Sequence, residues 1–288
     1  MIIESHAHYT HNKFEQSFRC LFYKNGVYTI EDSTRGAILE YLKQNNFAAV
    51  IEPAISVESN KIIYEFSEEY KGFVFAAYGC HPMCVGGARL RDLKTIEDYA
   101  SRGCVAVGET GLDYYHTKKF TQKLRQKLWF RRQIKLAYRL NKPLILHIRD
   151  ACEDGLKILY KNKEYIRGGV VHCFNYDVRA AKEFIRLGLY LGIGGELLRE
   201  ESRERLTEVV QKIPIEYLVA ETDAPYVLPD LDIYGSDKKR KNARNTSTTI
   251  FAVIEKIAEI KKMSVSDAEK ALYNNTVRLF SLESLMSK

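Results

Sequence analysis

The sequence predicts an α/β fold, a TIM-type (β/α)8 barrel with a metal site at the C-terminal ends of its strands. Three observations carry the fold class. Eight short runs rich in Val, Ile, Leu and Ala show little polar alternation, as parallel strands covered on both faces do. Longer segments with helical periodicity separate them, and no Pro-, Gly- or Ser-rich linker divides the 288 residues. Strand then helix, repeated eight times in one chain, favours a closed barrel over an open doubly wound sheet. Such barrels commonly run to about 250 residues, so a single domain over residues 1–288 is expected.

The runs are Met1–His6, Phe47–Ser56, Phe73–Gly79, Cys104–Thr110, Pro143–Ile148, Gly169–Phe174, Leu189–Gly194 and Tyr217–Thr222. Between them, Phe120, Leu124, Leu128, Leu136 and Leu140 mark the apolar side of a helix whose Lys and Arg residues face solvent. Ala180, Phe184 and Leu187 mark another, and Ile250, Ile254, Ile257 and Ala258 a third. Helix stops fall at Asn45-Asn46, Asn141-Lys-Pro143 and Gly188. The stretch from His11 to about Arg35 fits no repeat unit. Its aromatic residues, Phe14, Phe18, Phe22, Tyr23 and Tyr28 among them, suggest an ordered long first loop with a short helix at the barrel mouth.

Composition sets the outer limits. Hydrophobic residues make up 45% and charged residues 28%, which suits a chain with a buried core. The net charge of +7 and pI near 8.9 are compatible with an anionic partner, and equally with a Lys-rich solvated surface. The six cysteines form no Cys-x-x-Cys pair, so they read as buried free thiols of a reducing compartment. No secretory signal and no apolar stretch of about 18 residues is visible, so a cytoplasmic protein without a membrane span is expected. No obligate protein partner is inferred.

Barrel active sites lie at the C-terminal strand ends. Here those ends read His6-Ala-His8, Gly79-Cys-His81-Pro82, Gly108-Glu109-Thr-Gly-Leu-Asp113, His147-Ile-Arg149-Asp150, His172-Cys-Phe174 and Glu221-Thr-Asp223-Ala-Pro225. Residues two apart in an extended strand point the same way, so His6 and His8 can face one point. Neutral imidazoles mixed with carboxylates are the donors of a divalent cation site. Four histidines (His6, His8, His147, His172) with Glu109 and Asp223 exceed what one tetrahedral ion needs and suit two ions sharing a carboxylate. The carboxylates each end an apolar run, where an unpaired charge would be costly.

These motifs, in this order and spacing, resemble the TatD-like metal-dependent deoxyribonucleases of the amidohydrolase-type barrel hydrolases. Further marks are Tyr114-Tyr115, Asp150-Ala151, Tyr226 and Arg244-Asn245, and the resemblance runs from His6 to about Phe280. It implies His6, His8 and Asp223 on one metal ion, His147 and His172 on the other, and Glu109 between them. It places His81 and Arg149 at the scissile phosphate, beside the bland readings of a supporting histidine and a surface arginine. Departures are Glu4 where the family usually has Asp, Met83 where many members have His, and Arg244-Asn-Thr-Ser247 for Arg-Asn-Glu-Pro.

The implied function is phosphodiester hydrolysis in DNA with two divalent ions (Mg, Mn or Zn), Asp223 acting as base and Glu221 orienting ligands. The alternatives are a small-molecule amidohydrolase or esterase, and an RNA or aminoacyl-tRNA hydrolase on the same barrel. Lys238-Lys-Arg-Lys241 follows the eighth strand and reads equally as a phosphate-backbone contact or a solvated charge run.

Overall fold

The computed structural model describes residues 1–231 and 242–283, so Lys238–Lys241 lies outside the described residues. Among the described residues ten strands are defined: β1 (Ile2–Glu4), β2 (Ser17–Lys24), β3 (Val27–Thr34), β4 (Phe47–Pro53), β5 (Val74–Tyr78), β6 (Ala106–Asp113), β7 (Leu144–Arg149), β8 (Gly169–Val171), β9 (Leu189–Ile193) and β10 (Leu218–Ala220). Eight of them form one sheet in the order β1-β4-β5-β6-β7-β8-β9-β10. Beyond that order, Ser5 N–H donates to the Ala220 carbonyl (3.3 Å) and Ala7 bridges Ala224 in parallel, so first and last strands also meet. This is the (β/α)8 class, and each of the eight strands lies within or overlaps an expected apolar run.

The described chain groups into two compact halves. The first comprises Met1–Ile51, Cys173–Val178 and the described part of Gly192–Thr276. Its helices include α1 (Arg35–Gln44), α7 (Glu200–Lys212), α8 (Ile250–Lys261) and most of α9 (Val265–Phe280). Thr34 caps α1, its hydroxyl accepting from Ala37 N–H (3.3 Å). The expected stripe of α8, Ile250, Ile254, Ile257 and Ala258, is buried.

The long first loop is a β-hairpin, not a loop with a helix alone. After a short 3-10 turn at Asn12–Phe14, β2 and β3 pair antiparallel from Ser17↔Thr34 to Lys24↔Val27. The two-residue turn is Asn25-Gly26, at φ 53° and 79°. Both central residues of a type I′ turn need positive φ, and Asn-Gly supplies them most readily. Leu21 N–H donates to the Arg244 carbonyl (2.8 Å), Arg244 N–H to the Arg19 carbonyl (3.0 Å), and Tyr23 N–H to Thr248 Oγ1 (2.9 Å). The hairpin is thereby fixed to the Arg244–Thr248 segment.

The second half comprises Glu52–His172, Arg179–Leu191 and the described part of Val277–Lys288. It holds α2 (Ser59–Glu69), α3 (Leu93–Ala100), α4 (Phe120–Arg139), α5 (Cys152–Lys161) and most of α6 (Val178–Arg186). Its core includes Ile63, Ile96, Val107, Trp129, Phe130, Ile134, Leu144, Leu146, Leu159 and Phe184. Each large apolar side chain so buried contributes about 1.5–3 kcal/mol.

The face that α4 buries differs from the expected one. Phe120 is 71% exposed, Leu124 48% and Leu128 38%, while Gln126, Trp129, Phe130, Gln133, Ile134, Leu136 and Ala137 are buried. The reason is polar. Gln126 accepts from Asp113 N–H (3.0 Å) and donates to the Pro82 carbonyl (3.2 Å). Gln133 accepts from Cys80 N–H (2.8 Å) and donates to the Cys80 carbonyl (3.0 Å) and Thr110 Oγ1 (2.7 Å). Strand-end backbone that needs hydrogen-bond partners, rather than apolar surface alone, decides which side of this helix turns inward.

Candidate metal centre

In the first half, His6 and His8 follow β1 in extended chain, with Ala7 between them bridged to Ala224. Their Nε2 atoms stand 3.1 Å apart. Asp223 follows β10 at φ 54°, a left-handed conformation that Asp tolerates better than most residues. Asp223 N–H donates to the His6 carbonyl (3.0 Å), and Oδ1 lies 3.7 Å from His6 Nε2 and 3.4 Å from His8 Nε2.

Buried polar groups lock this arrangement. Glu4 Oε1 accepts from His6 N–H (3.2 Å) and Thr222 N–H (2.9 Å), and Oε2 accepts from the Thr222 hydroxyl (2.6 Å). Burial pushes the Glu4 carboxyl up to about 8 despite those hydrogen bonds. Asn245 donates to the Thr222 carbonyl (3.1 Å) and holds the Thr246 and Thr249 turn through Oδ1. Glu221 accepts from Cys173 N–H. Gly192 packs against it, and a Cβ there would have to displace the Glu221 carboxylate.

In the second half, Glu109 is the hub. Its Oε1 lies 2.9 Å from His147 Nδ1, 2.9 Å from His172 Nε2 and 3.5 Å from His81 Nε2. His147 Nδ1 and His172 Nε2 are 3.2 Å apart. The other nitrogen of His147, Nε2, meets Asp113 Oδ2 at 3.2 Å, and Asp113 also accepts from His116 N–H (2.8 Å). A carboxylate behind a histidine fixes its ring and tautomer. Strands β6 and β7 approach closely here, so a Cβ at Gly111 would collide with the His147 carbonyl.

The electrostatics follow from the packing. Burial works to raise the Glu109 carboxyl, but the neighbouring imidazoles, His172 first, and hydrogen bonds from His147 and His172 outweigh it, holding it well below the usual range. Burial lowers His147, yet hydrogen bonds to Asp113 and Glu109 reverse the sign and raise it. Burial, helped by His147, pushes His81 down to about 3, so it is neutral. His81 Nδ1 accepts from Met83 N–H (3.1 Å), which leaves the ring proton on Nε2, directed at the cluster.

Both clusters suit a divalent cation. Ligand atoms about 2.1 Å from one ion, at right-angle to tetrahedral separations, stand about 3.0–3.4 Å apart. The nitrogen and oxygen atoms of each cluster fall in or near that range. Paired imidazole nitrogens aimed at one another need a cation or a proton between them, and mixed N/O donors suit zinc-like or manganese-like ions. His81, Glu109 and His147 form one group whose nitrogen and oxygen atoms lie within 4.8 Å, but with its Nε2 proton in place His81 offers no lone pair to an ion.

The structure thus brings His6, His8 and Asp223 together, and Glu109, His81, His147 and His172 together. Arg149, at the end of β7, is exposed, and its guanidinium lies over the Tyr115 ring at 4.2 Å. His11 stands apart from ligand duty, its Nε2 hydrogen-bonded to the Tyr226 hydroxyl (2.9 Å). Sequence reasoning missed Asp113, Asn60, Gln126 and Gln133 as supports. Asn60 accepts from Gly79 N–H (3.0 Å) and donates to its carbonyl (3.0 Å), fixing the approach to His81. The signal available for Asp113 was its place at the end of a strand run. The cysteines are free, and burial pushes the thiols of Cys20 and Cys80 up to about 12, far from nucleophilic use. Among the described residues, no helix is long and apolar enough to cross a membrane.

A barrel of this kind, with histidines and carboxylates at its strand ends, defines a metal-dependent hydrolase class. The family model for TatD related DNase matches residues 3–281, and the chain belongs to that family. It is 36% identical over 217 residues to a Bacillus subtilis protein described as the uncharacterized metal-dependent hydrolase YabD, covering 75% of this chain and 80% of that protein. It is 31% identical over 312 residues to the Schizosaccharomyces pombe deoxyribonuclease Tat-D, covering 93% and 97%. The crystal structure of YjjV, a TatD homologue from Escherichia coli, superposes with a TM-score of 0.81 at 26% identity over 97% of this chain and 98% of that one.

Proposed function

We propose that this metal-dependent hydrolase is a deoxyribonuclease that cleaves phosphodiester bonds of DNA with the help of two divalent ions. The observation that carries the reading is the pair of donor clusters, each with an ionisable carboxylate and at least two imidazole nitrogens at ligand spacing. His6, His8 and Asp223 would hold one ion, and His147 and His172 the other, with Glu109 shared. Bound there, the ions would lower the pKa of a water and clamp the attacking and leaving oxygens of the displacement.

The chain's own residues do the rest. Asp223, the less buried of the two carboxylates, takes the proton of the attacking water and passes it to the leaving oxygen. His81, neutral and protonated on Nε2, donates to a phosphoryl oxygen. Arg149 supplies charge for the substrate phosphate. The test is end-labelled single- and double-stranded DNA, RNA and a panel of small esters and lactones, each with Mg, Mn and Zn. Cleavage of DNA with added metal supports the reading. Hydrolysis of esters or lactones with none of DNA would select a small-molecule amidohydrolase, and cleavage of RNA alone would select an RNA hydrolase.

A further inference from the structure

Resting on that reading, we propose that Tyr115, backed by the Arg149 guanidinium, is a stacking platform for an unpaired nucleobase of the substrate. The two residues are held at the C-terminal ends of neighbouring strands. Asp113 of β6 is in register with Arg149 of β7, and Tyr114 N–H donates to the Arg149 carbonyl (2.9 Å). Tyr115 therefore leaves the strand end two residues beyond Asp113, which supports His147.

The adjacent tyrosines are used differently. Tyr114 is built into the fold: its hydroxyl donates to Asp154 (2.8 Å), and Lys123 covers its ring at 4.2 Å. Tyr115 is 51% exposed, and its hydroxyl makes no hydrogen bond among the described residues. Its ring is lined by Arg149 at 4.2 Å, by Lys118 Nζ at 5.7 Å and, in a T-shaped contact, by the His116 ring at 4.8 Å. Arg149, Lys118 and Lys119 have no carboxylate partner among the described residues, and no acidic residue occurs from Tyr114 to Arg139.

An exposed ring held in place by a planar cation, with the Lys118 ammonium 5.7 Å from the same ring, matches the alternation of a single strand. Bases stack on the ring, and the flanking phosphates meet the cations. In a duplex the base faces are already stacked, so this platform selects an unpaired segment over paired DNA.

The probe is a short single-stranded oligodeoxynucleotide carrying 2-aminopurine at successive positions, added to the chelator-treated full-length protein. Stacking quenches its fluorescence, so the readout does not require turnover. At one position the parent should quench strongly. Tyr115→Ala should lose that quenching and weaken binding roughly tenfold or more. Tyr115→Phe should restore both. Arg149→Lys, which keeps the charge and loses the plane, should weaken binding less than Tyr115→Ala. With metal restored, Tyr115→Ala should raise KM for the oligonucleotide more than it lowers kcat. A Tyr115→Ala protein that quenches and binds as the parent does overturns this inference while nuclease activity stands. A parent that neither binds nor cleaves nucleic acid overturns the proposed function and this inference together.

Discussion

The two donor clusters solve the same problem with different materials. The His6, His8 and Asp223 cluster takes two donors from one extended segment and a third from the residue group after the neighbouring strand. Its supports are Glu4, two residues before His6, Thr222 beside Asp223, and Asn245, 23 residues beyond Thr222. The Glu109 cluster gathers donors from four strand ends and is supported from behind by Asp113 and by amides of α2 and α4. Its carboxylate is 3% exposed at the side chain, against 15% for Asp223. The buried, histidine-ringed carboxylate suits permanent holding of a cation, and the more accessible one suits proton traffic.

The largest expected effect comes from breaking that division of labour at its chemical end. Asp223→Asn preserves shape and an oxygen able to ligate but removes the proposed base. Turnover on DNA should fall at least about a hundredfold, with a smaller fall in metal content. Steady-state rates and metal analysis of the same preparation check it. Near-parental turnover would mean that Asp223 only holds metal, and the contrast between the clusters would disappear.

The complementary change is Asp113→Asn. The loss should appear in metal affinity, about 10–100-fold, because His147 loses the carboxylate that orients it. Excess metal should recover much of the rate, which it should not do for Asp223→Asn. Titrating activity against free Mn or Zn separates the two. A variant whose affinity matches the parent's would show that Asp113 merely serves His116 and the local turn.

A smaller effect tests the scaffold of the second cluster. Gln133→Leu leaves Cys80 N–H and its carbonyl without their partner, at a cost of about 1–3 kcal/mol. In a chain of this size that corresponds to a melting-temperature fall of roughly 2–4 °C per kcal/mol. An unchanged melting temperature would show that water replaces the amide and that this strand end is not dry.

Legibility in the sequence divides along the same line. Eight apolar runs located the strands because a parallel strand covered on both faces has few polar residues to blur it. His6-x-His8 was readable because strand alternation is a local rule, and the strand-end positions of Glu109, His147, His172 and Asp223 followed from the barrel topology. The inward side of α4 was not readable from hydrophobicity. Gln126 and Gln133 are buried for hydrogen bonding, so Phe120, Leu124 and Leu128 misdirected the assignment. Asp113 could not be distinguished from other strand-end acids, since its partner is 34 residues away. The hairpin was different: Asn25-Gly26 carried its signal openly, between the alternating residues of β2 and the Thr- and Tyr-containing run of β3.

That hairpin supplies the smallest and most local prediction. Gly26 sits at φ 79° with nothing within 4 Å of the place a Cβ would occupy. Gly26→Ala therefore meets no steric obstacle, and its whole cost is the left-handed backbone conformation, about 1 kcal/mol. Part of that is returned, because alanine restricts the unfolded chain more than glycine does. The hairpin reaches the first cluster only through backbone bonds to Arg244 and the Thr246–Thr248 segment, beyond which Asn245 holds the Thr222 carbonyl. If those bonds make it a scaffold, the melting temperature should fall by a few degrees at most while Asp223-dependent turnover stays within about twofold. Thermal melts and kcat on the same oligonucleotide decide it. A large loss of turnover at an unchanged melting temperature would mean that the hairpin acts on substrate directly rather than as a scaffold for the first cluster.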